Sequence, residues 1–211
     1  MTRTYPHFIN GLETPASDGA TFPVYNPATQ TVYGHAARGT GADIARAVEA
    51  ARGAFPAWAG LAPADRERIM LRAADWIEAH EDRFLDILID ESGSTIRKAK
   101  YETGYSANLF RAAAGEARRL YGDTFPNDKT HRLSFVIREP LGVVAAISPF
   151  NAPLVLLVKM IVFALAAGNT VIAKPSEETP IVAVELARGL HEAGFPPGVF
   201  NVVTGYGPET W

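Results

Sequence analysis

Three short polar segments hold the residues best able to do chemistry: Ser148-Pro149-Phe150-Asn151, Lys174-Pro175-Ser176-Glu177 and Thr204-Gly205-Tyr206-Gly207. Each follows an apolar run that reads as a strand: Val143–Ile147, Val171–Ala173 and Val199–Val203. The amide of Asn151 could donate to an oxyanion. It could equally cap the helix that follows, a place where Asn is favoured. Glu177 stands where a dinucleotide fold receives the hydroxyls of the adenosine ribose. Lys174 can offer a cation to that ribose or to phosphate. The same pair at a strand end would also form an ordinary solvated ion pair. Gly205-Tyr206-Gly207 is a weak signal by itself. The first turn carries Ser-Pro-Phe-Asn-Ala-Pro in place of Gly-x-Gly-x-x-Gly, so the usual glycine turn around a diphosphate is missing.

These segments act together only if a frame brings the strand ends to one edge. From Gly142 onward, strands alternate with helical runs over Leu154–Ala167 and Ile181–Ala193, closed by Gly168 and Gly194. That alternation predicts a parallel sheet, because each right-handed crossover returns the chain to the same side. Ligands of such sheets bind at the carboxyl ends of the strands. The fold class is therefore α/β, with a doubly wound parallel sheet.

Upstream, β-prone pieces fall at Phe8–Asn10, Phe22–Tyr25 and Val32–Ala36, with a turn at Asn26-Pro27. Thr40 and Asp43 read as a capping box, and Pro56 should end the first helix. A second helix should start near Pro63, a third should stop at Gly93, and a fourth should run towards Leu120 with a possible break at Gly104. Thr124–Thr130 reads as turn-like and Leu133–Arg138 as a strand. Tyr101 and Glu102 on the long helix are explained by packing and surface solvation.

Composition removes several function classes. The 211 residues carry 20 basic and 23 acidic side chains, a formal charge of −3, so no basic surface for nucleic acid or anionic membranes is implied. The longest apolar run, Leu154–Ala167, contains Lys159 and is too short to span a bilayer. Met1–Gly11 has no apolar leader; secretion is not indicated, and a cytoplasmic location is expected. The count of Cys is 0, which removes disulfides, thiolate metal sites and thiol catalysis from these residues. The 5 histidines are scattered without ligand spacing, so no metal site is expected.

With these residues in place, the chain resembles the aldehyde dehydrogenase superfamily nearly end to end. The matching motifs include Phe8-Ile9-Asn10-Gly11-Leu12, Asn26-Pro27-Ala28-Thr29, Glu139-Pro140-Leu141-Gly142-Val143-Val144 and Ser148-Pro149-Phe150-Asn151-Ala152-Pro153. They continue through Ala166-Ala167-Gly168-Asn169-Thr170, Lys174-Pro175-Ser176-Glu177 and Gly194-Phe195-Pro196-Pro197-Gly198. The resemblance implies oxidation of an aldehyde to a carboxylic acid with a nicotinamide dinucleotide, through a thiohemiacetal on a cysteine. It implies that Asn151 belongs to the oxyanion hole and that Lys174 and Glu177, with Ser176 between them, hold the adenosine ribose. It places Ile147, Ser148, Pro149 and Phe150 along the cofactor cleft and Gly207 beside the adenine. NAD is the expected cofactor rather than NADP.

By the same resemblance, residues 1–122 form the amino-terminal strands and helices of a cofactor-binding domain. Residues 123–141 form a β-arm used for homo-oligomerisation, and residues 142–211 form the βαβαβ core. The departures weigh on activity. The family's nucleophilic cysteine and general-base glutamate lie downstream of anything matched here, so the chain reads as cut short of its catalytic domain and inactive alone. The competing expectation is a non-catalytic remnant that binds or assembles through its arm. The coding sequence beyond Trp211 would separate the two. The apolar residues after Asn151 point to a pocket for an aromatic or aliphatic aldehyde.

Overall fold

Residues 3–210 are described by a computed structural model; Met1, Thr2 and Trp211 lie outside them. Turn chemistry shapes the first forty residues. Asn10 and Gly11 take positive φ, 54° and 78°, and fold β2 (His7–Ile9) back onto β3 (Leu12–Thr14). Asn26 opens the turn between β4 (Thr21–Asn26) and β5 (Thr31–Ala37), its side chain accepting from the amides of Ala28 and Thr29. β1 (Thr4–Tyr5) pairs in parallel with β5.

Four helices follow: α1 (Gly41–Ala59), α2 (Pro63–Ala79), α3 (Glu81–Ser92) and α4 (Ile96–Glu116). At the start of α1, Asp43 takes the backbone N–H of Thr40 at 2.9 Å, as the capping pattern predicts. Pro56 does not end this helix. It sits exposed one turn before the end, where the Arg52 carbonyl that loses its helical partner can face water. Buried Trp58 holds that last turn by donating Nε1–H to Leu165 O at 3.1 Å. Gly104 does not break α4 either, since its neighbours Glu102, Thr103, Ser106 and Ala107 are all buried. Beyond α4, β6 (Asp123–Phe125) and β7 (Ser134–Val136) form an isolated antiparallel hairpin. The strand thus extends into the segment that reads as a turn, because Thr124 and Phe125 pair with Phe135 and Ser134.

The remaining chain alternates as expected: β8 (Val143–Ser148), α5 (Pro153–Ala166), β9 (Thr170–Pro175), α6 (Ile181–Glu192) and β10 (Phe200–Val202). The sheet order is β3-β2-β10-β9-β8, parallel from β8 to β10 and closed on the other side by antiparallel β2. Side chains along β9 alternate between faces. Ile172 packs with Ala47 and Ala51 of α1, whereas Val171 and Ala173 join the larger core with α5 and α6. Layers on both faces make this an α/β fold. β8 remains an open edge, with Ile147 58% exposed. Among the described residues, no helix is long and apolar enough to cross a membrane.

Candidate functional site

Strand register brings the predicted segments together. Ile147 lies opposite Lys174 and Ser148 opposite Pro175, while Val202 lies opposite Ala173. Ser148-Pro149-Phe150-Asn151, Lys174-Pro175-Ser176-Glu177 and the residues after Val203 therefore emerge at one carboxyl edge. Ser148 and Lys174 are buried, Pro149, Ser176, Glu177 and Gly207 are half-buried, and Phe150 and Asn151 are exposed. The edge thus has a polar floor and an accessible rim. Gly207 opens a short 3-10 turn, and a Cβ added there would meet nothing. Packing gives no reason for glycine at that position.

Lys174 and Glu177 form an ion pair at 3.2 Å, and the ammonium also donates to Pro175 O at 3.2 Å. The hydrogen bond from its own backbone N–H holds the Glu177 carboxyl below the usual range, against burial and with help from Lys174. With the Lys174 side chain 5% and that of Glu177 38% exposed, the pair presents a carboxylate outward over a buried cation. Such a pair can accept from a vicinal diol through Glu177 and donate to the same diol through Lys174.

Asn151 does not cap α5. The cap position falls on Ala152, whose carbonyl takes the first helical bond from Leu156 N at 3.0 Å. The amides of Leu154 and Val155 are instead taken by Glu102 of α4, at 3.2 and 3.4 Å. Glu102 is 1% exposed and paired with Lys98, so surface solvation does not explain it. It is a buried anchor that fixes the first turn of α5 directly after Asn151, and among the described residues the Asn151 amide makes no hydrogen bond.

Glu91 of α3 does the same for α6. It accepts from Ile181 N and Val182 N, the second at 3.0 Å. Burial pushes its carboxyl up to about 8, against those two bonds. Both helix amino termini behind this sheet edge therefore have amides taken by carboxyl groups from the helical layer, which competes with any phosphate there. Sequence reasoning missed both roles. The signal available was small: an i, i+4 Lys98–Glu102 pair set among Ala99, Thr103 and Ser106, too small-sided for an ordinary solvated face. Among the described residues, no three His, Cys, Asp or Glu side chains gather as a metal-ligand group.

The Aldehyde dehydrogenase family model matches residues 14–211. The chain belongs to the aldehyde dehydrogenase family. An NADP/NAD-dependent aldehyde dehydrogenase of Escherichia coli strain K12 is 41% identical over 205 residues, covering 96% of this chain and 41% of that relative. A mitochondrial benzaldehyde dehydrogenase of Antirrhinum majus is 40% identical over 203 residues, covering 95% of this chain and 38% of its own length. The crystal structure of an NAD-dependent aldehyde dehydrogenase from Sinorhizobium meliloti superposes with a TM-score of 0.94 at 39% identity, over 98% of this chain and 42% of that one. This aldehyde dehydrogenase chain thus spans about two-fifths of the length of the relatives it matches.

Proposed function

We propose that the complete enzyme containing this chain oxidises an aldehyde to a carboxylic acid with NAD, and that this chain supplies the adenosine side of the cofactor site and one oxyanion donor. The observation that carries this reading is the register of β8 on β9, which sets Ser148-Pro149-Phe150-Asn151 beside Lys174-Pro175-Ser176-Glu177. Lys174 and Glu177 fit a ribose diol, one as donor and the other as acceptor. Ile147, Ser148, Pro149 and Phe150 flank the cofactor, with Ser176 and Gly207 at its adenosine end. A nicotinamide dinucleotide held there would supply the acceptor for the hydride that leaves the aldehyde carbon. When a nucleophile attacks that carbon, charge collects on the oxygen, and the free amide of Asn151 donates to it. The nucleophile comes from outside these 211 residues, which contain no cysteine. Of the apolar run after Asn151, Leu154, Val155 and Leu157 are packed in the core rather than around a pocket, which leaves half-buried Ala152 and Leu156 to meet the substrate.

Glu177 sets the cofactor preference. Its carboxylate accepts from the ribose 2′-hydroxyl and repels a 2′-phosphate. The expected result is a kcat/KM for NAD at least about tenfold above that for NADP, since juxtaposed like charges cost several kcal/mol. Glu177→Gln should narrow the gap. Equal efficiencies in the unmodified enzyme would remove Glu177 from this role.

A second reading, assembly through the β6–β7 arm, rests on its side chains. Phe125, Leu133, Phe135, Val136 and Ile137 are all about half or more exposed on a hairpin with no covering layer. Such a patch favours burial against another copy. Sedimentation of the complete enzyme as a monomer would dismiss it.

A further inference from the structure

Helix α5 carries one charge. Of its 14 residues from Pro153 to Ala166, only Lys159 is not apolar. Leu154, Val155, Leu157, Val158, Ile161, Val162 and Leu165 are buried on the inner side. Ala152, Leu156, Lys159 and Phe163, spaced by four, three and four residues, form a stripe on the outer side. That stripe begins next to Asn151 and remains uncovered: Phe163 is 47% and neighbouring Met160 44% exposed. It is an apolar surface with a cation set in its middle.

This cation differs from the two paired lysines, and from unpaired Lys100 and Lys129 in being, among the described residues, the one lysine seated on an aromatic ring. Lys98 and Lys174 are each paired with a glutamate, Glu102 and Glu177. Among the described residues Lys159 makes no ion pair. Its Nζ lies 5.3 Å from the ring centroid of Tyr105, which stacks on Tyr101. An aromatic face steadies an ammonium without neutralising it, so the charge stays available to an anion. Lys159 lies seven positions after Ala152, about 10 Å of helix. A lysine side chain leans towards the amino end of its helix, which shortens the distance to Asn151. The interval suits one aromatic ring or a short alkyl chain.

We propose that Lys159 selects aldehydes bearing an anionic group, a carboxylate above all, at the end remote from the aldehyde carbon. The inference rests on the dehydrogenase reading, with the aldehyde oxygen at Asn151. Ala152 and Leu156, the stripe positions between Asn151 and Lys159, cover the apolar middle of such a substrate while the Lys159 ammonium takes its anionic end. Neutral aldehydes lack that last contact, and specificity is the difference between the two. The bland alternative is a solvated lysine that only keeps an apolar face wet. It predicts no dependence on substrate charge.

The test uses the complete enzyme with matched pairs: benzaldehyde against 4-carboxybenzaldehyde, and butanal against 4-oxobutanoate. In the unmodified enzyme kcat/KM should favour the carboxylate member of each pair. Lys159→Met should lower that preference about tenfold, mainly through KM, and Lys159→Arg should restore most of it. Lys159 is exposed, so neither variant opens a cavity. A preference unchanged by Lys159→Met, or both members of a pair falling together, would overturn the proposal and leave the dehydrogenase reading standing. Failure to oxidise any aldehyde, charged or neutral, would overturn that reading and this proposal with it.

Discussion

Replacing Asn151 by alanine should lower kcat of the complete enzyme by roughly 10²–10³-fold, the loss typical of one oxyanion-hole donor. What holds the first turn of α5 decides the size of this effect. Had Asn151 been its cap, alanine would cost helix stability, about 1 kcal/mol, and turnover only indirectly. That work is done by Glu102, through the amides of Leu154 and Val155. The Asn151 amide is exposed, held in place by a fixed backbone, and committed to no partner among the described residues. Its removal should therefore leave the melting temperature and the cofactor Kd nearly unchanged while turnover falls. Asn151→Ala with normal kcat and a lowered melting temperature would return the residue to a structural role.

The 211-residue chain purified alone should oxidise no aldehyde. With 0 cysteines it has no thiol to attack an aldehyde, and none of its side chains is an activated nucleophile of another kind. A hydrated aldehyde could in principle lose hydride, but nothing in the chain would hold it in a reactive geometry. The sheet adds a second handicap. One side is closed by β2 and β3, but β8 presents an unpaired edge with Ile147 exposed beside the cofactor segment. An open, apolar strand edge pairs readily with other chains. NAD binding by the isolated chain should accordingly be weak, and the sample prone to self-association. Absorbance at the NADH band with a panel of aldehydes, beside calorimetric NAD titration, gives both readouts. Sustained NADH production would refute the inactivity, and tight stoichiometric binding would separately refute the incomplete site.

Much of this architecture is legible in the residues because local chemistry and tertiary demand agree. Gly168 and Gly194 take positive φ at the ends of α5 and α6, and Pro63 opens α2, as their types require. The three chemical segments meet at one edge because parallel strands leave them no other arrangement. The failures share a cause. Pro56 fits inside α1 and Gly104 inside α4 because solvent or tertiary packing compensates what propensity alone would forbid. β6 escapes notice because a hairpin partner, not its own polar sequence, makes it a strand. Glu91 and Glu102 look like surface carboxylates until the fold places them, about 90 and 52 residues away in sequence, against the amino ends of α6 and α5. Contacts of that separation leave no local periodicity to read.

The placement of the adenosine half of NAD at the β8–β9 edge is most directly tested by hydrogen exchange of the complete enzyme with and without NAD. Exchange should slow in peptides covering residues 147–151 and 174–177, with the second segment losing its protection in Glu177→Gln. Protection confined to other segments, in a sample that still reduces NAD, would contradict it.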